Sequence, residues 1–541
     1  MLLIMAKAKS KPLSFSTTMR NPNRIAGFLS QIVEFEGQIL TSEIIYKVVH
    51  NVIKNKLYYT MYEYGKPEYK DIYFSEELEF SDEQVEDIIA NTKQKHKEAG
   101  FEAGWESRFD TWFSLPKEFG FIFYEKGKKI KISDTGHMLI DNSKLEEPDE
   151  IVNQNIFLNS LCKYQTNNPF KKNLNENNPL LLLLNTIKLL KNDSEENGAG
   201  IFRSELSLLI CWNNNDAVEL YKLIKKLRKQ VGFQYSDEMI YDICLELLGC
   251  VTPEEKESSK KYFKIDKICG EAVDEYIRKM RSTGILSLRG NGRFLDFNSF
   301  EQKKIDYVLS KYSSIKTYNS KEEYFNYIGQ KDKELFDMNV EVDHSKEYSI
   351  KIETLSKFAS KYTKEEIFKE LMILSKKSES KNDEFRFIPD PTRLEFLTSI
   401  SLAQNLSGCY IEPNYSIDDE GMPTMTARGN MPDIVCTEPS NESEGVPLVS
   451  NVEVTMMRGK TDQVMNEMIP IRRHLLNDLS RNKDAFAVFI APYIHDDAKE
   501  ASEWYKYKDN ININPYTIEE FIDKISVNDK LISLNERWNE K

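Results

Sequence analysis

The spacing of apolar and polar positions divides this chain into many helical stretches broken by a few short strands. Residues 25–35 read as an amphipathic helix, and through 78–98 apolar positions recur at helical spacing amid many charges, with Ser81-Asp82-Glu83 as an acidic start. Phe119-Gly120-Phe121-Ile122-Phe123-Tyr124 reads as a strand that turns at Glu125-Lys126-Gly127-Lys128 and returns as Lys129-Ile130-Lys131-Ile132. Helices follow at 179–190, 204–212, 218–229 and 274–280, and a second hairpin joins residues 284–288 to 293–297 through Arg289-Gly290-Asn291-Gly292. Helices that lead into a basic-tipped hairpin resemble a winged helix, in which a helix enters the major groove and the wing touches backbone. Residues 300–390 are charged and mostly helical, without strong strands.

The last third has a different rhythm. After the turn Ile388-Pro389-Asp390-Pro391 a helix is expected to start with Thr392 as its cap, placing Glu395 on the same side as Thr398 and Ser399. Pro432-Asp433 then leads into the apolar Ile434-Val435-Cys436, a run of turn formers fills 438–445, and 446–454 returns as a second strand carrying Glu453. A helix over 461–479 carries Glu467, Arg472, Arg473 and His474 and is expected to bend at Pro470. Residues 484–492 form a near-continuous apolar run, which suits a strand buried on both faces.

Chemistry enters at the hairpin of this last third. Asp433 and Glu453 fall at neighbouring ends of paired strands, where carboxylates can converge on a hard cation such as Mg²⁺, which takes oxygen ligands and keeps several waters. That arrangement suggests metal-assisted hydrolysis of a phosphodiester. Pro-Asp followed by Glu-x-Thr is a short pattern that arises by chance in chains of this length, so its neighbourhood has to carry the weight. A histidine such as His474, inside an amphipathic helix, is more often a packing or hydrogen-bonding residue than a general base. Arg472 and Arg473 have two readings, as contacts to a scissile backbone or as partners of nearby acids.

A chain of 541 residues is too long for one core and should divide into several domains. Its net charge of −14 argues against indiscriminate nucleic-acid binding, but the first thirty residues hold Lys7, Lys9, Lys11, Arg20 and Arg24 and no acid. Arg20, Asn21 and Arg24, with Arg108, Lys128 and Arg289 at the two helix-and-hairpin segments, are the candidate DNA contacts. The basic run at 222–229 is more often a solvated helix face. Seven cysteines without a C-x-x-C pair read as reduced residues of a cytosolic protein, and no apolar run is long enough to span a membrane.

The order helix, hairpin, helix, buried strand, with Pro432-Asp433 and Glu453-Val454-Thr455, resembles the PD-(D/E)xK nuclease core. More narrowly, the chain resembles the AlwI-like family of type IIS restriction and nicking endonucleases through Leu394-Glu395-Phe396-Leu397-Thr398, Gly429-Asn430-Met431-Pro432-Asp433, Glu453-Val454-Thr455, Glu467, Arg473-His474 and Phe489-Ile490-Ala491-Pro492. Phe119-Gly120-Phe121, Lys163-Tyr164-Gln165, Asn178-Pro179-Leu180 and Thr283-Gly284 extend the match into the first half. The resemblance implies an N-terminal recognition region, a helical linker and a C-terminal nuclease domain; with the pattern of elements, the expectation is a multi-domain α+β protein with winged-helix-like recognition modules at 1–138 and 139–299, a helical linker at 300–390 and an α/β PD-(D/E)xK nuclease domain at 391–541.

It also implies active-site acids at Glu395, Asp433, Glu453 and Glu467. Asp433 and Glu453 are read as the Mg²⁺ ligands, and Arg473 and His474 as candidate contacts to the DNA backbone. Thr455 stands where the wider superfamily has Lys, which leaves the water-activating group unassigned; Lys460 is a weak candidate. The expected activity is Mg²⁺-dependent cutting of double-stranded DNA at a fixed distance from a short asymmetric site, one strand per nuclease domain. The expected partners are a second copy or a small nuclease subunit and a cognate methyltransferase, in a bacterial cytoplasm without a membrane role. Two other classes compete: a DNA-binding regulator, which needs no acids at a hairpin's end, and a catalytically silent nuclease-like subunit.

Overall fold

The computed structural model describes residues 10–75, 78–95, 97–145, 148–171, 175–196, 198, 200–338, 344–428, 431–440, 445–459 and 462–536. The chain divides into two units, Met1–Tyr73 with Glu79–Val340, and Phe74–Leu78 with Glu341–Lys541. The first unit therefore includes the helices Gln302–Lys311 and Lys321–Gly329, and the second begins with the helices His344–Lys361 and Lys364–Ser375.

The first unit is helical with two small antiparallel sheets. Ser81 caps the helix Asp82–Asn91 by accepting the Gln84 N–H, as its acidic start suggests. The helix Trp105–Glu118 buries Phe109, Trp112 and Phe113 and runs into a hairpin of β1 (Ile122–Phe123) and β2 (Lys131–Ile132), with Ile122 opposite Ile132. Its exit demands glycine. Gly120 has φ +75°, and a Cβ there would lie 2.1 Å from Ile328 Cγ2 and 2.9 Å from the Gly329 nitrogen. The second hairpin, β4 (Leu286–Arg289) with β5 (Phe294–Phe297), gains a third strand, β3 (Ile201–Phe202), so that β5 is central.

The second unit is built on a five-stranded mixed sheet. Its strands are β6 (Tyr410–Pro413), β9 (Ile434–Glu438), β10 (Leu448–Val454), β11 (Phe486–Ala491) and β12 (Ile513–Thr517), in the order β12-β11-β10-β9-β6; a short hairpin of β7 (Ser416–Ile417) and β8 (Pro423–Met425) stands apart. β9 runs antiparallel to β6 and β10, whereas β10, β11 and β12 are parallel. On one face of β11, Ala487, Phe489 and Ala491 pack with Ile471, Leu475 and Ala498. The alternate residues Phe486, Val488 and Ile490 are buried too, so both faces are covered, as an unbroken apolar run requires.

Two helix boundaries differ from expectation. The helix predicted to start at Thr392 spans Asp390–Asn405, with Pro389 at the N-cap and Pro391 in the first turn, where the missing N–H costs nothing. The helix expected over 461–479 is a turn of π geometry, Asp462–Met468, followed by the α-helix Ile469–Leu479. Pro470 sits in the first turn of the α-helix and marks a change of helical winding rather than a bend within one helix.

Candidate active site

Strand register brings the two hairpin acids together. Ile434 pairs with Val452, so Asp433, one residue before β9, lies at the level of Glu453 on β10. The Asp433 N–H donates to Glu453 Oε2 at 3.2 Å, and the Val454 N–H donates to Asp433 Oδ2 at 2.7 Å. Both carboxylates are therefore oriented by backbone amides of the strand ends. Glu453 is buried, while Asp433 retains partial solvent contact although protein surrounds its carboxylate closely.

Two further elements close on this pair. The helix Asp390–Asn405 buries Glu395 to 2% exposure, and its carboxylate accepts the Ala427 N–H at 3.0 and 3.3 Å. From the other side, Nδ1 of His474 lies 2.9 Å from Glu453 Oε1. Glu453 is thus gripped at both oxygens. Glu467 lies on the π turn, half-buried, and its charge is felt by both Glu395 and Asp433.

Crowding sets the electrostatics. Burial pushes the Glu395 carboxyl well above the usual carboxylate range, and the charges of Glu453 and Glu467 push the same way; the Ala427 N–H and Lys351 oppose them. Asp433 is raised well above its ordinary value by burial and by Glu395, Glu453 and Glu467, with the Val454 N–H opposing. Lys351, on the helix His344–Lys361, is 9% exposed, and burial lowers its pKa while Glu347 and Glu395 raise it. Its ammonium lies over the Tyr415 ring, 5.6 Å from the centroid.

Nothing in the sequence pattern singles out Lys351, because it sits 44 positions before Glu395 on a helix that reads as a connector. Ala427 was equally hidden, since a backbone donor leaves no side-chain signal. The Thr455 hydroxyl accepts the Met457 N–H at 3.0 Å and the residue's own N–H donates to Ile490 O, so Thr455 fastens the end of β10. Lys460, Gly429 and Asn430 lie outside the described residues.

The carboxylate oxygens of Asp433 and Glu453 are donors of the type a hard cation takes. Among the described residues no three His, Cys, Asp or Glu side chains form a group that could hold a metal ion by themselves.

The two arginines of this region separate. Arg472 pairs with Asp509 at 2.8 and 2.9 Å and stacks on Tyr505, whereas Arg473 is exposed. In the first unit the candidate DNA contacts all have intramolecular contacts. Arg20 pairs with Glu275 at 2.9 Å, Arg24 donates to Leu57 O at 2.5 Å, and Asn21 accepts the Asn23 N–H at 3.1 Å. Arg108 donates to Gln94 at 2.9 Å, Lys128 pairs with Glu125, and Arg289 binds Asp296 at 3.1 Å and Phe297 O at 2.8 Å. The basic run at 222–229 is internally matched, Lys225 to Asp193 and Arg228 to Glu196 and Glu205. All seven cysteines are free thiols, and no described helix is long and apolar enough to cross a membrane.

Comparison with known proteins supplies context for this geometry. A family model described as AlwI restriction endonuclease matches residues 117–339 and 332–523. Among solved structures, the restriction endonuclease FokI is similar at 12% identity over 98% of both chains, TM-score 0.26, and FokI bound to DNA at 12% identity over 98% of this chain and 99% of that one, TM-score 0.24. The small subunit of the heterodimeric restriction endonuclease R.BspD6I is similar at 18% identity over 30% of this chain and 77% of its own, TM-score 0.25. No curated protein matches.

Proposed function

Because this chain belongs to the AlwI restriction endonuclease family, we propose that it is a type IIS endonuclease whose second unit hydrolyses DNA phosphodiesters with Mg²⁺ beside Asp433 and Glu453. The observation that carries this reading is the reciprocal backbone clasp between those two acids at the end of a mixed sheet. A regulator that only bound DNA would have no use for burying Glu395 beside them. Restriction of foreign DNA, with a methyltransferase of the same specificity protecting the host, is the setting the family resemblance implies.

Asp433 would hold the ion, its carboxylate oriented by the Val454 N–H. Glu453 would share the ion, its orientation set by His474 and the Asp433 N–H. Glu395 and Glu467 would stand by to hold water around it. Bound Mg²⁺ would supply a water of lowered pKa and neutralise charge growing on the phosphorus oxygens. Arg473, exposed one position before His474, meets the DNA backbone, while His474 serves Glu453 rather than the DNA. The raised Asp433 and Glu395 carboxyls give the site a physical reason to need the cation: the charges they carry when ionised repel one another until one is bound.

The first unit, with its two helix-and-hairpin segments, would read the asymmetric target by winged-helix docking. A second copy or a separate small subunit would supply the cut on the other strand. Incubating the protein with Mg²⁺ and plasmid and sequencing the ends tests the reading. A fixed offset from one short sequence, with 5′-phosphate and 3′-hydroxyl termini, supports it; no cleavage under any divalent cation defeats it in favour of a silent subunit.

A further inference from the structure

The first unit contains a cavity of about 330 Å³ whose lining is rich in cations. Lys163, Lys311, Lys316, Lys331 and Lys333 face it, and Asp332 is the one carboxylate among its lining residues. In a chain of net charge −14 this is a local reversal of sign. The DNA-contact candidates chosen from the sequence have intramolecular partners, whereas several of these lysines have none of opposite charge among their described contacts.

The cavity is a built structure rather than a chance cluster of surface chains. Gln165 clamps its wall, donating to Lys316 O at 2.6 Å and accepting the Lys316 N–H at 3.1 Å, so the segments 162–168 and 312–318 are tied together. Asn178 donates to Cys162 O at 2.8 Å and fixes the same segment from behind. Lys163 is 7% exposed; its ammonium donates to Asn159 Oδ1 at 3.0 Å and to Gln330 O, both neutral acceptors. The Lys316 ammonium lies 3.5 Å from the centroid of the Tyr327 ring. Lys311 is the partly neutralised member, held by Asp332 at 3.0 Å with Glu334 at 3.7 Å. Tyr307 and Tyr312 donate to Asp332 as well, so its oxygens are occupied by hydrogen-bond donors in addition to the Lys311 ammonium.

A buried ammonium satisfied only by neutral oxygens retains most of its desolvation cost, and a bound anion would offset it. Burial lowers the Lys163 pKa to about 8, which records that cost. Phosphate oxygens suit such a site, because each ammonium offers several rotatable donors to an anion with many acceptors.

We infer that this lysine-lined cavity seats a backbone phosphodiester group of the DNA duplex, with Lys163 at its floor and Lys316 and Lys333 at its rim. This rests on the proposed function for the identity of the ligand, and adds a phosphate anchor that fixes register without reading sequence. The group would be held by charge, and its binding would release counterions.

The test uses the full chain and a mixed-sequence fluorescent duplex in Ca²⁺, with affinity measured by anisotropy across a KCl series. The rim double variant Lys316→Gln with Lys333→Gln removes side-chain charge but leaves the backbone clamp to Gln165. It should flatten the slope of log affinity against log salt by about one to two units, while Lys47→Gln with Lys260→Gln, exposed elsewhere, should leave it unchanged. Lys163→Met should weaken binding further, and a wild-type melting profile excludes misfolding. A rim-variant slope equal to wild type overturns the inference, as does an equal flattening by the control pair or a wild type that binds no DNA. Inorganic phosphate raising the melting temperature of wild type but not of the rim variant, without any change in DNA slope, would assign the cavity to free phosphate and overturn the DNA assignment. Plasmid cleavage in Mg²⁺ by the same preparations is independent: wild type that cuts normally with an unaltered rim-variant slope fails this inference alone, and wild type that binds but never cuts fails the proposed function alone.

Discussion

Asp433 and Glu453 hold each other through the main chain, the Asp433 N–H reaching Glu453 Oε2 at 3.2 Å while the amide after Glu453 reaches back to Asp433 Oδ2 at 2.7 Å. The clasp fixes two like charges side by side, and among the described residues no Lys or Arg is paired with either. It predicts that the site is strained when empty. Asp433→Asn keeps the Val454 hydrogen bond and removes one charge, so it should raise the melting temperature of the metal-free protein. A gain of about 1 kcal/mol would shift a unit of this size by roughly 2–4 °C, which calorimetry in EDTA at pH 8 can read.

The same crowding predicts a pH dependence. Asp433 and Glu395 have folded pKa values raised above their unfolded ones, so the folded state binds more protons, and their contribution is fully present below the ordinary carboxylate range and lost as pH rises through the raised values. The metal-free second unit should melt at lower temperature at pH 8 than at pH 5.5 on this account. Ca²⁺ should recover the loss, more at pH 8 than at pH 5.5; equal recovery at both would contradict the linkage.

His474 touches Glu453, and in the proposed mechanism it orients that carboxylate. His474→Ala should cost about 10–100-fold in activity or in apparent Mg²⁺ affinity. If the effect passes through the metal, it should shrink as Mg²⁺ is raised, with binding to DNA in Ca²⁺ unchanged.

The Lys351 ammonium offsets the charge of Glu395 from a separate helix. Lys351→Met should raise the Mg²⁺ concentration needed for half-maximal cleavage. Adding Glu395→Gln should cost less in the Lys351→Met background than in wild type, the non-additivity expected of two groups that act on each other. Additive losses would place Lys351 outside the site.

How far the site was legible follows from which interactions leave a side-chain pattern. Pro432-Asp433 and Glu453 stand at the ends of apolar runs, so their convergence is readable directly, and the buried run at 486–491 announces an interior strand of the sheet. Strands β6 and β12 could not be read, because Pro413 in one and Asn514 and Pro515 in the other look like breakers. Both prove to be edge strands, where a missing ladder N–H is tolerated. The start of the Asp390–Asn405 helix is hard to read for a related reason, since Pro391 looks like part of the preceding turn whereas it occupies the first helical turn. The charges of Arg20, Arg108 and Arg289 were visible in the sequence, but their partners lie 255, 14 and 7 positions away, and pairing across such distances leaves no local signal.

Cutting should proceed one strand at a time. The second unit contains one Asp433–Glu453 pair and hence one polarity of attack, so a one-site supercoiled plasmid should first accumulate nicked circles, with linear product later and rising more steeply with protein concentration. Linear DNA formed directly, with no nicked intermediate and first order in protein, would contradict this.

The central claim is that Asp433 and Glu453 perform the chemistry and take no part in recognition. Its most direct test compares wild type, Asp433→Asn and Glu453→Gln on one plasmid in Mg²⁺, with duplex binding measured in parallel in Ca²⁺. The account predicts that both variants lose cleavage while binding with wild-type affinity. Substantial cleavage retained by either variant in Mg²⁺ would contradict it.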